Sequence, residues 1–278
     1  MLLSRSLLTS LSFFTIFACW SPNLSAAPRA ELWSYWQNHN ATSGRRIDHT
    51  RWGLFLGRYL DTMHPSGIYR LKYAAVTEQD KALLGEYLTD LATVQVSQLN
   101  RPEQLAFWVN LYNALTVQVV LDHFPVSSIR AIDISPGLFR RGPWDAKLMR
   151  VEGRHLSLND IEHRILRPVW QDSRLHYVLN CASLGCPNLP PLPVSASNSE
   201  QLLEQSARHF INHARGVSFT AGGLTLSSIY DWYEEDFGNS RADLMKHLQS
   251  YARPKLANKL KNYRGGIAYR YDWQLNAP

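Results

Sequence analysis

Between positions 106 and 121 almost every residue is apolar, whichever face of a helix it would occupy. A helix hydrophobic all round has to be buried all round, so this segment is expected at the centre of the fold with the rest of the chain wrapped about it. Asn100, Pro102 and Glu103 stand ahead of it as an N-cap, a first-turn proline and a reciprocal carboxylate. Within the run Phe107-Trp108-Val109-Asn110-Leu111-Tyr112-Asn113-Ala114-Leu115, Asn110 and Asn113 are three apart and share one side. Buried amides must find partners. The chain has material for such a core, with 278 residues of which 45% are hydrophobic and 19% charged. That composition excludes a disordered, collagen-like or coiled-coil chain.

The elements around this helix are legible from periodicity. Residues 77–94 place Leu83, Leu84, Tyr87, Leu88 and Leu91 on one helical face behind a Thr77/Asp80 capping box. Residues 147–151 and 154–156 flank the turn Glu152-Gly153 and read as a hairpin. Ser157 and Asp160 cap a further helix that buries Ile161, Ile165 and Leu166, and Pro168 is expected to end it. Residues 175–180 alternate in the period of a strand that runs into Cys181. Then come a helix over 199–213, a hairpin around Gly222-Gly223, a Ser228-capped short helix through Trp232, a helix over 240–251 and an alternating strand of Ile267, Tyr269, Tyr271 and Trp273. No β-α-β rhythm appears, so the expectation is α+β: a single domain with a buried central helix, surrounding helices and a small, mostly antiparallel sheet.

The first 26 residues read as a signal peptide. Arg5 precedes an apolar stretch from Leu7 to Trp20, and Pro22-Asn23 leads to the small-residue site Leu24-Ser25-Ala26. The stretch is shorter than the roughly 20 residues of a membrane span. The expected mature protein is therefore residues 27–278, periplasmic or secreted, with no transmembrane helix. A lipoprotein lipidated at Cys19 is the minor alternative, disfavoured by Phe17 where a small residue is required.

Motifs for a zinc site, a serine-hydrolase elbow, a P-loop and a dinucleotide fold are all missing, so no metal or cofactor is expected. Other motifs carry a resemblance. The run 107–115, Leu158-Asn159-Asp160-Ile161-Glu162-His163, His176 through Asn180-Cys181-Ala182-Ser183 to Cys186-Pro187, Ser228-Ile229-Tyr230-Asp231-Trp232-Tyr233 with Asp236-Phe237, and Tyr271-Asp272-Trp273 occur in an order that resembles family 547 of the domains of unknown function, DUF547. The resemblance spans about 46–275 and suggests an exported, bacterial-type member. It implies no activity, since none is generally established for that family.

Chemistry is sought at the end of the expected strand. Cys181-Ala182-Ser183-Leu184-Gly185-Cys186-Pro187 presents a thiol on a small-residue turn whose N–H groups can stabilise a thiolate or an oxyanion. On an extended strand rising about 3.3 Å per residue, His176 would lie roughly 16 Å from Cys181, too far for a direct pair. Glu162 and His163, on the preceding helix, are better placed; residues adjacent on a helix point about 100° apart, so only one of them is expected to face the strand squarely.

Two readings follow. In one, Cys181 is the nucleophile of a hydrolase or acyl-transferase acting on an amide or ester bond of the cell envelope, with His163 or His176 as base, Glu162 orienting it, and Asn110, Asn113, Asn180 or Ser183 contacting substrate. In the other, the protein is a non-catalytic ligand-binding or structural module in which the same polar residues brace the core and Cys181 and Cys186 form a disulfide. The aromatic run 229–237 admits a carbohydrate or peptide platform as well as core packing. A net charge of +6 suits an anionic partner, but the basic residues Arg140, Arg141, Lys255, Lys259, Lys261 and Arg264 read as a solvated face, so no nucleic-acid partner is expected. The substrate is an unidentified small molecule, peptide or envelope component.

N-terminal sequencing of the exported protein is expected to begin at Ala27; a lipid-modified Cys19 at the start, or a retained Met1, would contradict the targeting reading.

Overall fold

The computed structural model describes residues 28–137 and 142–278. The expected signal peptide, with Cys19 and the Ala27 start, and the pair Arg140 and Arg141 lie outside the described residues. Helix α1 is Thr50–Tyr59, α2 Glu78–Ala92 and α3 Arg101–His123. α3 is the central helix: the side chains of Phe107, Trp108, Leu111 and Ala114 are wholly buried, and Asn110 and Asn113 with them. It starts as its cap dictates, with Asn100 Oδ1 accepting from the Glu103 N–H at 3.0 Å. Glu103, however, does not close a capping box. Its carboxylate accepts from the Ile47 N–H at 2.8 Å and pairs with Arg46, tying the incoming chain to the helix instead. α2 begins at the expected Thr77 cap, which accepts from Asp80 N.

The two central asparagines each clasp a passing strand of backbone. Asn113 donates to Val178 O at 2.8 Å and accepts from Asn180 N at 2.9 Å, which fixes the segment leading into Cys181. Asn110 does the same to Val194, through its N–H and its carbonyl, and so reaches neither the Glu162 nor the Cys181 element.

Two corrections bear on the site. The segment before Cys181 is no strand: Ser173–Tyr177 is a 3-10 helix, started by Asp172, whose carboxylate accepts from the Arg174 N–H. Alternation signals a strand only where one face meets solvent. Here Leu175, His176, Tyr177, Val178, Leu179 and Asn180 are all buried, so the pattern carried no facing information. The second correction concerns Pro168, which does not end its helix. After a reciprocal Ser157/Asp160 cap, Asp160–Leu166 winds as a π-helix and continues through Pro168 as α4, Arg167–Trp170, stopping at Gln171 with φ 51°. Proline has no N–H, and where the π-helix passes into α4 the carbonyls of His163 and Arg164 take donors from outside the helix. The N-terminal segment supplies both bonds, from Glu31 N to His163 O at 2.9 Å and from Trp33 N to Arg164 O at 3.0 Å.

The strands form three small sheets, where a single one was expected. β1 (Leu60–Asp61) pairs β2 (Arg70–Leu71), and β3 (Met149–Val151) pairs β4 (Arg154–Leu156) across the Glu152-Gly153 turn, both of whose residues have positive φ as a tight two-residue hairpin requires. After α5 (Ser199–Ile211), β5 (Val217–Thr220) pairs β6 (Gly223–Ser227) antiparallel. The short α6 (Ile229–Trp232) follows, without a side-chain cap from Ser228; α7 (Arg241–Tyr251) and α8 (Pro254–Asn262) pack together, and β7 (Ile267–Arg270) returns parallel to β6. The fold is α+β. Apolar side chains gather in two clusters, one around α1 to α3 and the π-helix, the other around α5, α7 and the β5-β6-β7 sheet. No helix among the described residues is long and apolar enough to cross a membrane.

Replacing Asn113 with Leu would strand the buried Val178 carbonyl and Asn180 N–H, at about 1 to 3 kcal/mol for a lost buried partner. With a shift of roughly 2–4 °C per kcal/mol for a chain of this size, a thermal melt of Asn113→Leu is expected to fall by several degrees; an unchanged Tm would show that the clasp contributes nothing.

Candidate functional site

The seam between the two clusters holds a buried polar network. From the π-helix come Glu162 and His163, from α4 Arg167, from the 3-10 helix His176, and from the turn after α6 Asp236. His176 Nε2 lies 2.6 Å from Asp236 Oδ2, and its Nδ1 lies 3.9 Å from Glu162 Oε1. Arg167 donates from Nε to the same Asp236 oxygen at 2.6 Å, from Nη2 to Glu235 at 2.7 Å, and from Nη1 to Pro28 O at 2.7 Å and to His163 Nδ1 at 3.0 Å. Tyr112, on α3, donates its hydroxyl to Glu162 Oε2 at 2.8 Å. The Tyr233 ring stacks on His176 with centroids 4.1 Å apart.

The π-helix explains why both Glu162 and His163 are buried in the network, where an α-helical reading allowed only one. Its wider winding changes the angle between successive side chains, and such segments recur at functional sites. Burial alone would raise the Glu162 carboxyl, but the neighbouring His163 and His176 rings, the Tyr112 hydroxyl and Arg167 outweigh it and hold the pKa below the usual carboxylate value. Asp236 is likewise opposed by burial and then drawn down to about 2 by His176 and Arg167. His163 is pushed down to about 4, first by burial, so its ring is neutral at pH 7 and accepts from Arg167.

Cys181 stands at the open side of this network, part-buried on the turn after the 3-10 helix. Ala182 next to it holds φ 56°, a left-handed conformation uncommon for a residue with a Cβ. Asn180 Oδ1 braces that turn by accepting from Ala182 N at 2.8 Å, while its amide donates to Pro187 O. Ser183 Oγ donates to the Tyr271 hydroxyl at 3.0 Å, which leaves the Tyr271 proton for Cys181 Sγ, also at 3.0 Å; Ser183 Oγ itself is 3.4 Å from the sulfur. Cys181 and Cys186 are both free thiols. The neighbouring Cys186, Ser183 and the Tyr271 hydroxyl lower the Cys181 pKa against burial and the Glu162 charge, whereas burial pushes Cys186 well up.

The structure thus gathers Glu162, His163 and His176 in one network and brings Glu162 within electrostatic reach of Cys181, but no hydrogen bond joins either imidazole to the thiol. Asn110, Asn113 and Asn180 use their amides on the backbone. Ser183 touches the sulfur. Sequence reasoning passed over Asp236 as the partner of His176 and Tyr271 as the partner of Cys181. Both stand in the quoted motifs, Asp236-Phe237 and Tyr271-Asp272-Trp273, which were the signal available. The aromatic run divides: Tyr230 and Phe237 pack in the core, Tyr233 covers His176, and Trp232 joins Tyr271 and Trp273 in a cluster of part-buried rings beside the thiol. Among the described residues no group of three or more His, Cys, Asp and Glu is arranged to hold a metal ion.

Fold and site together define an α+β protein with a thiol set beside a buried carboxylate–imidazole network. Residues 96–211 match the family model described as Protein of unknown function, DUF547, so this segment is similar to that family. The segment contains Glu162, His163, His176 and both cysteines, and ends before Asp236 and Tyr271. No curated protein and no solved structure matches the chain.

His49, His163 and His247 are each held near 4 by burial, below the 6.5 of a free imidazole. A pKa lowered in the folded state leaves stability whole above pH 6.5 and removes it as pH falls toward 4, because only the unfolded chain takes up the proton. The loss is on the order of 2 kcal/mol per ring by pH 5. Thermal melts are expected to drop steadily from pH 7 to 4.5, and less steeply in His163→Gln, which keeps an acceptor for Arg167; a melting temperature flat over that range would refute neutral burial of these rings.

Proposed function

We propose that the protein is a thiol-dependent hydrolase or acyl-transferase acting on an amide or ester bond in the cell envelope, exported after removal of its first 26 residues, with Cys181 as nucleophile. One observation carries this reading: a part-buried sulfur that receives the Tyr271 hydroxyl and lies against Ser183, on a strained turn directly beside a buried Glu162/His176/Asp236 network. Hydrogen bonds to the charged form of a thiol increase the fraction present as the nucleophilic thiolate. The thiolate attacks the carbonyl carbon, the amine or alcohol leaves with a proton, and water or a second acceptor releases the acyl group. His176, oriented by Asp236 on one side and facing Glu162 on the other, is the proton carrier of this reading. Catalytic hydrogen bonds often tighten only when substrate is bound, so the missing thiol–imidazole bond is compatible with this role. The rings of Trp232, Tyr271 and Trp273 give substrate a flat apolar surface next to the sulfur.

A non-catalytic module remains the second reading, favoured by the saturation of the three asparagines and of Arg167 within the fold.

Iodoacetamide labelling across pH, read by mass spectrometry under reducing conditions, separates the two. In Cys186→Ser, Cys181 is expected to react faster near neutral pH than a free thiol of pKa about 8.5, and Tyr271→Phe to slow it several-fold. An activated ester should leave a transient acyl adduct on Cys181 that is absent in Cys181→Ser. Slow, pH-typical alkylation together with no acyl adduct would favour the module.

A further inference from the structure

The network accounts for Cys181 but leaves Cys186 without a task. Cys186 is 4% exposed, yet its sulfur is pointed at its neighbour and accepts from the Cys181 backbone N–H at 3.0 Å. Its thiol donates to the Leu179 carbonyl at 3.6 Å. The turn between the two cysteines is closed tightly, by Cys186 N donating to Ser183 O at 3.2 Å and by Gly185, where a Cβ would come within 2.7 Å of the Asp272 backbone N. That turn is clamped from outside as well. Arg215 donates to the Leu184 carbonyl at 3.1 Å, and Gly185 N and Leu184 N bond to the chain at Asp272 and Gln274. Two sulfurs held together by so short and fixed a loop are set up to meet each other rather than an outside partner.

We propose that Cys181 and Cys186 form a thiol–disulfide exchange pair, with the accessible Cys181 as attacking thiol and the buried Cys186 as resolving thiol. The oxidant is an external disulfide of the low-molecular-weight or protein class. The Cys181 thiolate attacks one sulfur of that disulfide, forming a mixed disulfide and expelling the other sulfur as a thiolate. Cys186 then attacks Cys181 Sγ, gives its proton to the departing thiolate, and closes the Cys181–Cys186 bridge. Two protein thiols are oxidised by two electrons, and one external disulfide is reduced to two thiols. The order follows from access, since a reagent in solvent meets Cys181 before Cys186. While the bridge is closed, Cys181 has no free sulfur for acyl chemistry; that consequence rests on the function proposed above, whereas the exchange itself does not.

The test incubates the folded exported chain, residues 27–278, with oxidised and reduced glutathione, traps free thiols with iodoacetamide, and reads intact mass and peptide maps. The wild type is expected to lose the mass of two hydrogen atoms, with the bridge mapped to Cys181 and Cys186 and no lasting glutathione adduct. Cys186→Ala should hold a glutathione adduct on Cys181, and in Cys181→Ala the remaining thiol should react at least about tenfold more slowly. A wild type that keeps a stable glutathione adduct, or that stays fully reduced in excess oxidised glutathione, would overturn the proposal, and this holds even if a variant fails to fold. Because the readout is mass, bridging without acyl transfer would sink only the hydrolase reading, and acyl transfer without bridging only this one.

Discussion

A guanidinium taken out of water costs several kcal/mol unless its donors and its charge are matched, and the site is organised around the way this fold meets that cost at Arg167. With its side chain almost wholly enclosed, Arg167 reaches Asp236 and Glu235 from the second apolar cluster, His163 from the π-helix and Pro28 from the N-terminal segment, and lies over the Tyr233 ring at 4.9 Å. Three stretches of chain converge on one cation. The two clusters are thereby held in register, and His176 inherits its position because it shares the Asp236 oxygen that Arg167 uses. Removing the guanidinium would leave a carboxylate pair and a buried imidazole with no organising charge.

The geometry upstream of Arg167 turns on the junction of the π-helix with α4, where Pro168 cannot donate. The segment from Pro28 to Trp33 docks there by satisfying the carbonyls of His163 and Arg164. Arg164 completes the contact by lying over the Trp33 ring at 4.7 Å. An α-helix carrying Pro168 would kink at this point; the π winding carries the chain past it, and the same winding buries Glu162 and His163 together. The junction of the π-helix with α4 therefore joins the placement of two titratable groups to the seat of the N-terminal segment.

What the sequence disclosed and what it withheld divide along physical lines. α3, α2, both hairpins and α7 were legible because each is marked by local chemistry: Asn100, Thr77, Gly153, Gly223 and Ser240 act on backbone within a few residues of themselves. The 3-10 helix before Cys181 was not, since alternation over 175–180 reports two faces only when one of them is wet. The π-helix was hidden because it depends on donors more than a hundred residues upstream, at Glu31 and Trp33. For the same reason the candidate residues Glu162, His163, His176 and Cys181 could be named, but not their partners. Asp236 and Tyr271 arrive from far along the chain, and Tyr112 was visible only as one more residue of an apolar helix.

The division of the site into an inner network and an outer thiol follows from where solvent reaches. Glu162, His163 and His176 are buried, while Cys181 and the rings of Tyr271, Trp232 and Trp273 are only partly so. A molecule approaching from solvent meets the sulfur first. Burial and the negative Glu162 behind it work against a thiolate, and Cys186, Ser183 and Tyr271 work for one; the second set prevails. Tyr271 can take part only while its hydroxyl keeps its proton, and burial, reinforced by the adjacent thiols, raises its pKa far enough to ensure that. The groups that lower the thiol's pKa thus lie on the solvent side and on its own turn, apart from the inner carboxylates and imidazoles, which are engaged with one another and with Arg167.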